Sequence, residues 1–218
     1  MEATTGPGRY PGEAVGGATA RVEQAKEEAI GAIADPAPLG LAGFALTTFV
    51  LSFFNAGLLE EGGEPVVFGL ALAYGGLAQL LAGMWEFKKA NAFGALAFTS
   101  YGAFWLSFWA LEQFFAKDIP EANLGDAVGL YLIAWGIFTA YLWIASFRVS
   151  VAVNVVLLLL TITFFVLGIG DSAAEENITK AGGWIGIATA IAAWYASFAV
   201  VMNRTFGREV VPVKELRR

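Results

Sequence analysis

Residues Asp35-Pro-Ala-Pro-Leu-Gly-Leu-Ala-Gly-Phe44 start as a turn and end inside a long apolar run. A turn-forming Asp-Pro-Ala-Pro set against a membrane-length segment suits the mouth of a membrane helix better than any soluble helix. Asp35 is a good N-cap, and Pro36 is tolerated in a first helical turn. The free N–H groups of such a turn attract anions, but the charge of Asp35 opposes that attraction, so a simple cap stands beside an anion contact as the reading of this residue.

Working outward, the same pattern recurs. Apolar blocks run over about 38–59, 66–86, 92–115, 124–145, 149–170 and 181–202. Each is near the roughly 20 residues that a helix needs to cross a bilayer. The run Val155-Val-Leu-Leu-Leu-Leu160 is apolar on every face, which rules out the alternation of a spanning strand. Only 15% of the 218 residues are charged and 57% are hydrophobic, whereas soluble domains carry about a quarter charged residues. Too little is left to coat six buried helices with a polar exterior. The expected fold is therefore an all-α integral membrane protein with six transmembrane helices.

Four divisions of the chain are expected. Residues 1–17 are rich in Gly and Pro and read as disordered. Residues 18–34 read as a short amphipathic cytoplasmic or interfacial helix, with Ala18, Val22, Ala25, Ala29 and Ile33 on one face. Residues 35–205 read as a six-helix transmembrane domain, and 206–218 as a cytoplasmic tail. Charge orients the whole. Of the 13 Lys and Arg, only Lys117 and Lys180 fall on the side that also holds Glu60, Glu61, Glu64, Asp118, Glu121, Asp171, Glu175 and Glu176. By the positive-inside rule both termini are cytoplasmic, and an even number of crossings agrees.

Composition also narrows the chemistry. The chain has no His and no Cys. That removes the commonest general base and metal ligand, any thiol nucleophile and any disulfide. No lysine lies deep in a span, which excludes Schiff-base chemistry on a retinal. No basic patch suggests nucleic acid. No cofactor, no metal and no enzymatic activity are expected. The polar residues within the spans are hydroxyls and amides: Thr48, Asn55, Gln79, Thr99, Ser100 and Thr161. A Ser or Thr can bond to its own helix. Asn55 and Gln79 cannot hide so easily and are expected to face the bundle. Glu86, at the end of the second block, is the one candidate for a proton-linked site, against an ion pair with Lys88 or Lys89.

The opening stretch, with Asp35, Pro36, Pro38 and Gly40, resembles the Asn-Pro-Ala-Pro-Leu-Gly-Leu signature of the acetate uptake transporter family. Further blocks match in order: Phe54-Asn-Ala-Gly57, Tyr74-Gly-Gly-Leu-Ala-Gln79, Glu86-Phe-Lys-Lys-Ala-Asn91, Ala97-Phe-Thr-Ser-Tyr-Gly-Ala-Phe-Trp105, Ala181-Gly-Gly-Trp-Ile-Gly186 and Phe206-Gly-Arg208. The likeness covers about 35–212. Here Asp35 stands where the signature has Asn. The resemblance implies a homohexamer in the plasma membrane, with six helices around a pathway in each protomer. It implies transport of acetate and related small monocarboxylates, and in some members succinate, through a narrow apolar waist of Phe44, Tyr101 and Leu160. Channel and proton symport both remain open. Ammonium export is the alternative, and a membrane sensor or scaffold using the N-terminal helix is a third reading.

Overall fold

The computed structural model describes Arg21 and residues 33–216. Most of the expected 18–34 helix, and all of 1–17, lie outside the described residues. Ile33 and Ala34 are irregular and lead into the first span.

Six long helices follow: α1 (Ala37–Asn55), α2 (Val66–Lys88), α3 (Ala92–Ala110), α4 (Glu121–Ser146), α5 (Val151–Ala173) and α6 (Glu176–Phe206). Five are long and apolar enough to cross a membrane. The exception is α3, which has the length, at 19 residues. Its hydroxyls and indoles, Thr99, Ser100, Tyr101, Trp105, Ser107 and Trp109, dilute its apolar character. At about 1.5 Å per residue, the 31 residues of α6 span more than the roughly 30 Å hydrocarbon core. Its polar first turn, with Lys180 Nζ 2.6 Å from Glu176, extends beyond the apolar block read from the sequence.

Local signals set the ends. Asn91 accepts the Gly94 N–H at 3.3 Å to open α3, and Ser150 accepts the Val153 N–H at 3.3 Å to open α5. Gly207, at φ +63°, closes α6 in the left-handed conformation that glycine adopts at no steric cost. Two helices carry a π-helical turn, Ala73–Ala78 within α2 and Leu111–Phe115 continuing α3. The first lies against α1, where a Cβ on Gly43 would meet the Tyr74 carbonyl oxygen at 2.6 Å.

The helices form a ring. α1 packs on α6, α6 on α5 and α5 on α4, while α2 lies between α1 and α3. The seam between α3 and α4 is closed by side chains. Tyr101 donates to Thr139 Oγ1 at 3.0 Å, and Tyr131 donates to the Phe104 carbonyl at 3.2 Å. Phe104 sits edge-on to Trp135 and Phe164, with centroids 5.3 and 5.2 Å away, which ties α3 to α4 and α5. Outward, Leu130, Ile137 and Ile144 form a stripe along α4, each at least 60% exposed. In water such a stripe would be costly; against lipid tails it is not.

After α6 the chain turns back as a strap. Asn203 Oδ1 accepts the N–H groups of Val210 (2.7 Å) and Val211 (2.9 Å), and its Nδ2 donates to the Val211 carbonyl. Tyr195 donates to the Pro212 carbonyl at 2.6 Å. Val151 then donates to the Lys214 carbonyl and Leu216 to the Val149 carbonyl, forming an antiparallel bridge at Ser150 and Glu215. The last described residues thereby join the end of α6 to the start of α5.

Candidate functional site

Among the cavities that the described residues line, two meet inside the ring. The larger, about 560 Å3, is lined among others by Asp35, Phe44, Gln79, Glu86, Lys89, Tyr101, Leu160, Arg204 and Glu215. The smaller, about 170 Å3, is lined by Phe44, Thr48, Ser52, Asn55, Glu64, Trp105, Glu112, Leu160 and Asp171, among others. Phe44 and Leu160 line both cavities and thus stand between them. Tyr101 faces the larger one, its ring centroid 5.8 Å from that of Phe44. All three are at most 4% exposed. Tyr101 is held in place by its hydrogen bond to Thr139, whose hydroxyl donates in turn to the Trp135 carbonyl at 2.7 Å.

The structure brings some of the expected polar residues to the cavities and not others. Thr48 and Asn55 line the smaller cavity and Gln79 the larger. Thr99, Ser100 and Thr161 line neither. Thr161 donates to the Leu157 carbonyl one turn back at 2.7 Å, and Thr99 packs on the backbone at Gly83. Thr47, Thr163 and Thr189 also bond back to their own helices. Thr48 does not; its buried Oγ1 has no partner. Gln79 Oε1 is likewise buried and unpartnered. Both can serve a polar solute without breaking an existing bond.

Glu86 is fully buried. Its Oε2 accepts from Asn91 Nδ2 at 2.8 Å, and its Oε1 has no partner. Of the two alternatives for this residue, the ion pair with Lys88 or Lys89 is not formed among the described residues. Lys89 turns instead to Asp35, with Nζ 3.1 Å from Oδ1. Arg204, from the last turn of α6, reaches Asp35 Oδ2 at 3.2 Å. Asp35 also accepts the Ala37 N–H at 3.2 Å, so it does serve the first turn of α1. Its main partners, however, are cations from two other helices. Sequence reasoning missed this triad because its members lie far apart along the chain, Asp35 and Lys89 on either side of two helices and Arg204 at the end of the sixth, and missed Glu215 because only the strap carries it to the cavity. Asp171, counted above only among the charges of the acidic side, lies inside α5 and lines the smaller cavity.

Burial alone would raise the Asp35 carboxyl, but the Lys89 hydrogen bond, the Ala37 N–H and the charges of Lys89 and Arg204 outweigh it and hold the group below the usual Asp value. A group depressed on folding stabilises the folded state above its unfolded-state pKa, and that contribution disappears as pH falls through the folded-state value. The melting temperature of the purified protein should therefore fall below about pH 4, and fall less in Asp35→Asn. A difference between the two proteins that stays constant with pH would refute the role of the triad.

Comparison with known proteins agrees with this architecture. A solved structure described as the bacterial acetate channel SatP superposes with a TM-score of 0.78 at 37% identity, covering 83% of this chain and 99% of that one. The succinate-acetate/proton symporter SatP of Escherichia coli K12 is 38% identical over 183 residues, 84% of this chain and 96% of the relative. Acetate permease A of Emericella nidulans is 40% identical over 195 residues, 83% of this chain and 65% of the relative. Ammonia transport outward protein 2 of Saccharomyces cerevisiae is 44% identical over 177 residues, 78% of this chain and 62% of the relative. The chain thus spans less than two thirds of the length of these fungal relatives. The model of the GPR1/FUN34/yaaH family matches residues 17–217, and by that match the chain belongs to this family.

Proposed function

We propose that the protein carries acetate and related small monocarboxylates across the plasma membrane, through a pathway that narrows at Phe44, Tyr101 and Leu160. The observation that carries this reading is that two cavities abut at the same two apolar side chains, Phe44 and Leu160. An apolar waist discourages hydrated ions, while the methyl group of acetate tolerates such walls. Thr48 and Asn55 on one side and Gln79 on the other offer hydrogen bonds to the carboxyl group. The names of the bacterial and Emericella relatives support the substrate. Both termini lie in the cytoplasm on this reading, which rests on the placement of Lys and Arg. The protein would work as a homohexamer with one pathway in each protomer.

Uptake of labelled acetate into proteoliposomes, with and without an inward proton gradient, tests this against protein-free vesicles. Protein-dependent flux is the expected result; flux no greater than in the vesicle control would sink the proposal. If the buried Glu86 carries the coupled proton, Glu86→Gln loses gradient-driven accumulation and keeps downhill flux. Equal accumulation in the variant and the parent protein would remove Glu86 from that role.

A second reading, ammonium export, has its own support. The smaller cavity is lined by Glu64, Glu112 and Asp171 and by no Lys or Arg. Inhibition of acetate uptake by acetate analogues but not by ammonium separates the two.

A further inference from the structure

We propose that Lys89 and Arg204 form a carboxylate-binding site at the mouth of the larger cavity, that Asp35 is its resident occupant, and that this built-in anion sets the mouth against dicarboxylates. The inference rests on the reading of the protein as a carrier of small carboxylates.

The arrangement around Asp35 is that of a captured carboxylate. One cation comes from the end of α2 and the other from the last turn of α6, and each takes a different oxygen of the same group, at 3.1 and 3.2 Å. Charge-assisted bonds to both oxygens are how proteins hold free carboxylates. All three side chains line the 560 Å3 cavity, so the capture takes place where a solute would pass. The Lys89 side chain is only 19% exposed, which fixes its ammonium group, while Arg204 is 70% exposed and can follow an incoming anion.

Charge then decides what the site accepts. With Asp35 in place, the larger cavity carries Asp35, Glu86 and Glu215 against Lys89 and Arg204. A monocarboxylate adds one negative charge to this lining, and succinate adds two. Each added charge is repelled by the same carboxylates, and both cations are already engaged. Asn at position 35 would keep the shape of the side chain and an oxygen for the Ala37 N–H. It would withdraw the charge and free both cations.

The test is calorimetric titration of the detergent-solubilised protein with succinate and with acetate, run alongside acetate flux in proteoliposomes. Asp35→Asn should bind succinate on the order of tenfold more tightly, and acetate about threefold more tightly, with both gains shrinking at high salt. Adding Lys89→Met to Asp35→Asn should abolish the gain. A merely structural role for Asp35 would move both ligands alike and would not depend on Lys89. Unchanged succinate binding in a folded Asp35→Asn protein overturns the proposal. Should that variant fail to fold, Arg204→Gln interrogates the same site from an exposed side chain. Succinate affinity should then drop below that of the parent protein, and an unchanged affinity overturns the proposal. Intact binding with no acetate flux would sink the carrier reading and leave the site standing.

Discussion

Leu160→Ala should pass lactate and other monocarboxylates larger than acetate, at rates that the parent protein does not reach. Leu160 is, with Phe44, one of the two side chains that line both cavities. Removing three carbons there opens the separation between 560 and 170 Å3 of existing space without displacing a helix. The cost in stability is modest for a core leucine, at the low end of about 2–5 kcal/mol, because part of its surface faces voids and not packed neighbours. The comparison to make is the ratio of lactate to acetate uptake in proteoliposomes. An unchanged ratio in a variant of normal melting temperature would show that the waist lies elsewhere. Thr161→Val, one residue on, is the natural control, because the Thr161 hydroxyl is spent on its own helix.

A larger effect on folding is expected at Gly183. α6 crosses the end of α1 at this residue, and a Cβ there would lie 2.5 Å from the carbonyl carbon of Asn55 and closer still to the Ala56 nitrogen. These are backbone atoms, which cannot rotate away. Gly183→Val should cost more than about 3 kcal/mol, because two closely packed helices would have to separate. The readout is the yield of monodisperse protein on size exclusion, with the melting temperature of whatever survives. Gly69→Val on the outer face of α2 meets nothing within 4 Å and should change little. Equal behaviour of the two variants would mean that the α1–α6 approach is not needed for assembly.

How far each of these features could be read in advance differs by element. The six apolar blocks correspond one to one with α1–α6, since hydropathy reports where a helix meets lipid. It stops reporting where water begins. That is why α6 extends over Glu176-Asn-Ile-Thr-Lys180, a mostly polar stretch that continues the helix beyond any apolar window. The π-helical turns at Ala73–Ala78 and Leu111–Phe115 leave no mark in periodicity, because they shift the register by one residue inside helices already apolar on most faces. Among the candidate polar residues, Gln79 and Asn55 line the cavities, and the sequence points to them because an amide in lipid needs a reason to be there. Thr161 shows the opposite. A hydroxyl can be satisfied by its own helix, so its type alone did not decide its direction. The Asp35 triad depended on bringing three distant helix ends together, which only tertiary structure reveals.

The strap has a consequence for how the molecule is made. Residues 207–216 are synthesised after all six helices, yet they complete one wall of the larger cavity through Val213 and Glu215. The helical ring can insert and close as it leaves the ribosome, with the mouth still unfinished. A nascent chain halted just beyond α6 should thus be a fully inserted protein with a gaping cavity. Docking of one short segment onto the start of α5 would then complete that wall.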